Sequence, residues 1–359
     1  MPNIKEEGPM EQSTVTGIDT AKRSMELCLM TVQGKILRQR RISRGDLLQA
    51  VSLLPKNTLI GMEACGGTHY WAREIEKLGY RIRLIPPQYA RPFRKRHKND
   101  KTDAQAIAIA TSRFDIPEVG IKTQEQQEIQ MLHSLRERAV QDRTAAVNAL
   151  HGFFLEAGIA LAKSKRIAAQ AAAAMETRAG AFGRLGAESV QFLLDKLKRL
   201  DGELKELTNR IERYSANHPV CQRLESIMGV GPIIATAVVA KVSKPSAYSC
   251  GRNFSASVGL TPNQFSTGGR ERLGHISKRG DRYLRKLFVL ASHSMLKAAE
   301  LKKKTDPHSL WAVALRKRKG WKIAVVGIAN KLARIIWKLL ISEEEYDPRK
   351  ACGSLTQPA

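Results

Sequence analysis

Two carboxylates, Asp100 and Asp103, stand three residues apart in the stretch His97-Lys98-Asn99-Asp100-Lys101-Thr102-Asp103-Ala104-Gln105. Side chains with this spacing share one face of a helix, and the alanine- and isoleucine-rich run that follows predicts such a helix. Acids are favourable at a helix N-terminus, so a solvated helix start would explain this pair taken alone. A run of bases precedes the pair, as if an anionic polymer were led towards a metal site: Arg91, Arg94, Lys95, Arg96 and Lys98.

Two further acids, Asp19 and Glu63, each end a short apolar segment that predicts a strand. Taken singly, each has an ordinary explanation as a turn residue or a strand-end charge. Four converging carboxylates would repel one another unless divalent cations neutralised them, and hard oxygen ligands select Mg²⁺ or Mn²⁺. Two such ions can clamp the attacking and leaving oxygens of a phosphoryl transfer. The sequence therefore predicts a metal site in which Asp19, Glu63, Asp100 and Asp103 are ligands and catalytic residues.

The elements that would position these acids follow one another in an informative order. Residues 25–32 and 36–42 predict two strands joined by a hairpin turn, and residues 46–54 predict a helix. After the strand that ends at Glu63, residues 71–78 predict a helix and residues 81–85 a further strand. Three strands, a helix, a strand, a helix, a strand and a helix is the order of an RNase H-like domain. In that fold the acids come from the first strand, the fourth strand and a later helix.

A long apolar seam marks the middle of the chain. Its residues alternate spacings of three and four, with charged residues filling the remainder: Val190, Leu193, Leu197, Leu200, Leu204, Leu207, Ile211 and Tyr214. This pattern predicts a coiled coil and hence a homo-oligomer, a dimer or tetramer. An amphipathic helix that packs within its own chain fits the same spacing, and the pattern leaves both open.

The last third contains two candidate contacts to phosphate. The turn Gly229-Val230-Gly231, followed by an apolar helix, resembles a helix-hairpin-helix whose backbone N–H groups meet a DNA phosphate, although an ordinary helix-helix turn has the same sequence. Further on, the hydroxyls of Ser266 and Thr267 lie between a Pro turn and a Gly-Gly turn, which suits an exposed nucleophile. The nearby bases predicted to bind nucleic acid are Arg270, Arg272, Lys278, Arg279 and Arg282.

Charge and cysteine usage limit the class of protein. Lys and Arg number 60 against 34 acids, a net charge of +26, which favours a polyanion such as nucleic acid over a membrane surface. The five cysteines are odd in number and form no C-x-x-C pair, so neither a disulfide framework nor a zinc site is expected. Without a signal-peptide core or an uninterrupted apolar span, the sequence predicts a cytoplasmic, nucleoid-associated bacterial protein with no membrane partner.

Taken together, these stretches resemble the DEDD transposases of insertion sequences, relatives of the Piv invertase and known as bridge-RNA-guided recombinases. The motifs that carry the resemblance are Gly17-Ile18-Asp19, Met62-Glu63-Ala64, Lys98 through Ala104, Gly229-Val230-Gly231, and Gly259-Leu260-Thr261-Pro262 through Gly268-Gly269.

The resemblance implies three domains. They are an α/β RNase H-like (RuvC-like) catalytic domain over 13–155, a coiled coil or linker over 156–215, and a mainly α C-terminal transposase domain over 216–342. The last carries the helix-hairpin-helix-like turn and the serine/threonine loop, and residues 343–359 would form a disordered tail. The family's composite site joins the carboxylates of one protomer to a serine of another. That nucleophile aligns with Thr267, with Ser266 just before it, and we favour Ser266.

The resulting hypothesis is a DNA transposase that excises and inserts its own element. A metal held by the four acids would assist a hydroxyl nucleophile, and a structured noncoding guide RNA would choose the target. One alternative is a RuvC-like, metal-dependent junction endonuclease that uses water. Another is a non-catalytic nucleic-acid-binding protein in which the carboxylates only begin helices.

Overall fold

The computed structural model describes residues 14–94, 99–164, 166–178, 180–265, 267, 270, 272–342 and 344–351. Four predicted site residues, Lys95, Arg96, Lys98 and Ser266, lie outside the described residues, as do residue 13 and residues 343 and 352–359 of the predicted tail. The chain divides into two units. The first comprises the residues up to Gln124 together with Val242–Ser249, and the second comprises Glu125–Lys241 and the residues from Cys250 onward. The domain limits given above stay predictions.

Five strands form one sheet in the first unit: β1 (Thr14–Thr20), β2 (Ser24–Thr31), β3 (Ile36–Ser43), β4 (Leu59–Glu63) and β5 (Ile82–Ile85). Their order is β3-β2-β1-β4-β5, antiparallel from β3 to β1 and parallel from β1 to β5. The helices of this unit are α1 (Leu47–Ser52), α2 (Thr68–Lys77), α3 (Pro87–Ala90) and α4 (Asp100–Ser112). The predicted mixed α/β organisation is thereby confirmed, while its assignment to the RNase H-like folds stays a prediction.

Helices cover both faces of this sheet. On one face, Ile18 and Met62 pack with Val51 of α1 and Ile75 of α2. On the other face, α4 packs on β1, β2 and β4 and contributes Ala108 to a cluster with Val15 and Met30. Because side chains alternate along a strand, Asp19 and Glu63 fall on the face that α4 covers.

Two glycines let α4 approach the sheet closely. Gly17 of β1 and Gly61 of β4 are paired in register. A Cβ at Gly17 would lie 2.9 Å from the Cα of Ala108 and closer still to the carbonyl oxygen of Ala104. A Cβ at Gly61 would overlap the side chain of Thr111. Only glycine permits this contact, and it fixes the first turn of α4 beside the ends of β1 and β4.

Helices make up most of the second unit. They are α5 (Gln124–Glu156), α6 (Ile167–Thr177), α7 (Arg184–Ala216), α8 (Pro219–Glu225), α9 (Pro232–Lys241), α10 (Gly251–Ser257), α11 (Arg282–Leu301), α12 (Pro307–Lys319), α13 (Trp321–Ile341) and α14 (Pro348–Ala351). A short hairpin of β6 (Pro262–Gln264) and β7 (Leu273–Ile276) interrupts them. This agrees with the predicted mainly α C-terminal region. None of the helices in the described ranges is long and apolar enough to span a membrane.

The seam of α7 has buried residues that pack within the same chain. Val190 and Leu197 belong to one apolar cluster with Leu150 and Phe154 of α5. Further along the two helices, Arg136 Nε of α5 donates to Thr208 Oγ1 of α7 over 3.0 Å. Intramolecular packing, the second possibility left open by the spacing, therefore accounts for this part of the seam. An intermolecular coiled coil stays a prediction.

The described part of the predicted tail contains a contact. Tyr346 Oη lies 2.9 Å from Nδ1 of the buried His308, and α14 follows it. An aromatic side chain with a polar tip can satisfy a buried imidazole, so this segment is attached at Tyr346 although its composition is polar.

Candidate active site

The four predicted acids occupy the ends of three neighbouring elements. Asp19 is near the end of β1, Glu63 is the last residue of β4, and Asp100 and Asp103 lie in the first turn of α4. β1 and β4 are adjacent and parallel, so their carboxyl ends meet at one sheet edge. Asn99 caps α4, its side chain accepting from Lys101 N at 2.9 Å, and thereby sets where the acidic turn begins.

The acids differ in exposure. Only 8% of the Asp103 side chain is exposed and 18% of Glu63, whereas 59% of Asp100 is exposed. Asp100 lies 3.8 Å from Arg41 of β3, a solvent-exposed and therefore weak pair. Asp103 and Glu63 form the interior of the cluster, and Asp100 lies at its solvent side.

The three other carboxylates act electrostatically on Asp19. The pKa of Asp19 is raised to about 6, first because burial penalises its charge and then because Asp103, Asp100 and Glu63 repel it. The positive charge of Arg94 lowers this pKa and only partly offsets the other effects. The three other predicted acids are thus close enough to act on Asp19, while the roles of all four as ligands and catalytic residues stay predictions.

A guanidinium group contacts two of the acids. Arg94 follows a short 3-10 turn over Arg91–Phe93, and its Nη2 donates to Glu63 Oε2 over 2.8 Å. Its Nε lies 3.1 Å from Asp103 Oδ1. Arg94 was predicted to bind nucleic acid, but here its charge is directed at the carboxylates.

The donor set has the chemistry of a divalent-cation site. Its ligands are hard carboxylate oxygens, and Asp103 Oδ1 is buried without a hydrogen bond to any described residue. As they stand, the described residues include no group of three or more His, Cys, Asp and Glu side chains arranged to hold a metal ion. Arg94 contacts Glu63 and Asp103 and thereby neutralises part of their charge.

Sequence reasoning missed the residues that set this geometry. Gly17 and Gly61 determine how closely α4 approaches, and the available signal was a glycine inside each apolar strand, two residues before its acid. Thr20, one residue after Asp19, and Cys65, two residues after Glu63, are also in contact, with 3.4 Å between Oγ1 and Sγ.

Thr267 of the predicted serine/threonine loop, here called the hydroxyl loop, lies between β6 and β7. Phe265 N donates to Arg272 O over 2.8 Å, and Arg270 N donates to Thr267 O over 3.1 Å. Thr267 and Arg270 are both exposed. The loop belongs to the second unit and the acids to the first.

The turn at Gly229 has a packing role of its own. Gly229 has a φ of +89°, and a Cβ there would lie 2.8 Å from Ala291 O of α11. A Cβ at Gly231 would meet no atom within 4 Å, so this side of the turn is open. The geometry fits both an ordinary helix-helix turn and a backbone that a phosphate can approach.

The basic residues around the start of α11 lie on a segment whose backbone is hydrogen-bonded to the rest of the unit. Lys278 adopts a positive φ of 54°, and Arg285 Nη1 of α11 donates to Val258 O and to Arg279 O over 2.9 and 3.2 Å. Lys278, Arg279 and Arg282 are exposed. The segment therefore presents three cations on a fixed backbone.

Comparison with known proteins gives a consistent result over both units. A family model described as a transposase of the DEDD IS110 type matches residues 16–158, and the model of the IS116/IS110/IS902 transposase family matches residues 221–306. A probable family 20 transposase of Pseudomonas aeruginosa is 37% identical over 334 residues, covering 92% of this chain and 98% of the relative. The transposases for insertion sequence elements IS1111A of Coxiella burnetii and IS1328 of Yersinia enterocolitica are each 36% identical, over 96% and 91% of this chain and 93% and 97% of their own lengths.

Proposed function

The chain belongs to the IS116/IS110/IS902 family of transposases, and on that premise we propose that it excises and inserts its own insertion sequence with a cation-dependent acid site and a hydroxyl nucleophile. The observation that carries the proposal is geometric: β1 and β4 end at one sheet edge, and Arg94 contacts both Glu63 of β4 and Asp103 of α4 there. Structural acids at helix starts do not need to gather in this way.

The acids would hold Mg²⁺ or Mn²⁺. Asp19, Glu63 and Asp103 would supply the more enclosed ligands and Asp100 the solvent-side one, and the absence of a hydrogen bond from any described residue to Asp103 Oδ1 supports the assignment. When bound, a divalent cation would supply Lewis-acid stabilisation of charge on a phosphodiester. Asp19 must be ionised to act as a ligand, which its pKa of about 6 allows at neutral pH.

The nucleophile would be a hydroxyl of the hairpin tip. We keep Ser266 as the first choice and Thr267 as the second. The exposed position of Thr267 beside Arg270 supports a tip that reaches phosphate. The hydroxyl oxygen forms a bond to phosphorus, the deoxyribose oxygen leaves as an alcohol, and the reverse reaction with another strand rejoins the DNA. Because one phosphodiester replaces another at each step, the bond energy needed for rejoining is conserved. Following the family resemblance, the acids and the hydroxyl would come from different protomers.

Binding to nucleic acid would use the exposed bases of the second unit. Lys278 and Arg279 lie on the held segment before α11, Arg282 is the first residue of that helix, and Arg270 and Arg272 flank the hydroxyl loop. The backbone around Gly229 and Gly231 would add phosphate contacts. The basic residues around Arg94 complete the proposed set. Of these, Lys95, Arg96 and Lys98 lie outside the described residues.

Self-association and guide RNA complete the proposal. With Val190 and Leu197 packed on α5, a homo-oligomer formed by α7 would use outward apolar residues such as Leu185 and Phe192, which are 72% and 69% exposed. Changing both to Gln should reduce the mass seen by light scattering if they form the interface.

A structured noncoding RNA beside the gene would select the target by base pairing, and the protein would act at the nucleoid.

A denaturing gel tests the chemistry. The chain is incubated with DNA carrying the element's ends, the RNA transcribed from its flank, and Mg²⁺. A protein–DNA adduct that survives denaturation supports the proposal, and comparing Ser266→Ala with Thr267→Ala identifies the nucleophile. Nicked DNA without bound protein, unchanged in both variants, would instead support the junction endonuclease. Binding without any cleavage would support the non-catalytic protein.

A further inference from the structure

Arg94 contacts the two acids that are most enclosed. Its Nη2 is 2.8 Å from Glu63 Oε2, in hydrogen-bond geometry. The side chain of Arg94 is itself only 26% exposed, so the pair is partly shielded from water. A charge pair in such surroundings is stronger than the surface pair of Arg41 with Asp100.

The second contact of Arg94 is poorly aligned. Its Nε lies 3.1 Å from Asp103 Oδ1, yet both atoms are buried and neither makes a hydrogen bond to a described residue. Buried polar atoms in folded proteins are almost always hydrogen-bonded. Arg94 therefore supplies charge to Asp103 without a directional hydrogen bond to it.

A divalent cation makes the opposite demands. It carries twice the charge, and its bonds to carboxylate oxygens need no N–H direction. Glu63 Oε2 and Asp103 Oδ1 cannot contact the guanidinium closely and coordinate a cation fully at the same time. We propose that Arg94 competes with divalent cations for Glu63 and Asp103: its guanidinium neutralises the two carboxylates, and a cation binds by displacing it. This inference rests on the proposed function of the acid cluster.

The competition has a consequence for the site. While Arg94 is paired, Glu63 and Asp103 are held together despite their repulsion, so the cation does not have to gather them. The cost is a weaker apparent affinity, since the cation must first break the contacts of Arg94. Arg94 is thus a positioning residue that sets the cation concentration at which the site loads.

Titration of Mn²⁺, followed by the loss of the free-ion EPR signal at pH 7.5 without nucleic acid, tests this. In Arg94→Gln the competitor is gone, and the dissociation constant should fall about tenfold. Arg94→Lys keeps the charge but cannot span both carboxylates, so it should fall between Arg94→Gln and the wild type. Arg91→Gln, which removes an exposed charge three residues earlier, should stay within about twofold of the wild type.

A fourth variant separates this inference from the proposed function. Asp103→Asn combined with Arg94→Gln should lose the tight binding of Arg94→Gln. If it loses binding while Arg94→Gln alone binds no more tightly than the wild type, the displacement is wrong and the metal site stands. If Mn²⁺ binding is the same with and without Asp103, or absent throughout, the acid cluster is not a cation site and both proposals fail. Circular dichroism confirms that each variant is folded.

Discussion

Two groups of enclosed polar side chains, one in each unit, differ in how completely they are satisfied. At the sheet edge of the first unit, Asp19, Glu63, Asp100 and Asp103 repel one another, and Asp103 Oδ1 has no hydrogen bond to a described residue. In the helical unit, His133 of α5, Thr236 of α9 and Tyr283 of α11 form a buried network. The first arrangement is strained by its own charges, and the second is neutral.

The helical network uses every polar atom of its imidazole. Thr236 Oγ1 donates to Pro232 O over 2.6 Å, so it accepts from Nε2–H of His133 at 3.0 Å. Nδ1 of His133 is then left to accept from the Tyr283 hydroxyl at 2.9 Å. Burial, together with the charges of Arg136 and Lys241, lowers the pKa of His133 to about 4, so the ring stays neutral.

The difference teaches where to look for function. A satisfied buried network joins three helices and needs no ligand, which is the pattern of a structural core. A cluster of carboxylates in which Asp19 has a raised pKa and Asp103 Oδ1 makes no hydrogen bond to a described residue is unfavourable by itself, which supports the proposal that it binds a cation. Substitutions in each region test this difference.

The largest effect is expected at the glycine that brings α4 to the acids. Gly17→Ala would push a methyl group into the backbone of α4, which cannot move without opening the core. We expect a loss of about 3 kcal/mol or more in the free energy of unfolding, with loss of cation binding. Urea denaturation measures the first. Gly66→Ala, where a Cβ meets nothing within 4 Å, is the control and should behave as the wild type. Equal stability of the two variants would contradict the close-packing argument.

The next effect concerns the satisfied network. His133→Leu leaves Thr236 and Tyr283 without their buried partner, and we expect a loss of roughly 2–3 kcal/mol at pH 8. The pKa of His133 is lower in the folded state than in the unfolded state. Its stabilising contribution is therefore complete above about pH 6.5 and is lost as the pH falls towards 4.

The free energy of unfolding should therefore decrease less steeply in His133→Leu than in the wild type as the pH falls. His69 and His308 also have pKa values lowered to about 4, so the wild type retains a slope from three histidines and the variant from two. Denaturation curves from pH 8 to pH 4 give the slopes. Parallel curves would show that His133 does not remain neutral in the folded protein.

A smaller effect of opposite sign is expected at the acid cluster. Because the pKa of Asp19 is raised from 3.8 to about 6, its stabilising contribution is complete below about pH 4 and is lost as the pH rises through 6. In EDTA at pH 7.5, Asp19→Asn should therefore be more stable than the wild type by roughly 1 kcal/mol, allowing for solvent screening, and the gain should vanish at pH 4. Asp115→Asn, at an exposed acid outside the cluster, should show neither effect. A destabilised Asp19→Asn would show that Asp19 is held by favourable contacts.

The two regions also differ in how far the sequence predicted them. The acids were found because each ends an apolar strand or begins a helix, and such signals are local. The contact of Arg94 with Glu63 joins residues 31 positions apart and follows from tertiary packing, so the basic run around it suggested only nucleic acid. The network of His133 joins residues up to 150 positions apart, and no pattern in the sequence relates them. The spacing of the α7 seam predicted an apolar face but left its partner open, and α5 of the same chain covers Val190 and Leu197.

Strand cleavage by Asp103→Asn is the most direct test of the proposal that the acid cluster is the catalytic site. The substitution keeps the shape of a buried side chain but removes the charge on which the proposed cation binding depends, whereas DNA affinity is expected to come from Lys and Arg. With the element's DNA, its flanking RNA and Mg²⁺, strand cleavage should fall by at least about 100-fold, while DNA binding by gel shift stays within about threefold of the wild type. Asp115→Asn should cleave as the wild type does. Cleavage by Asp103→Asn at the wild-type rate would contradict the assignment of the acid cluster as the catalytic site.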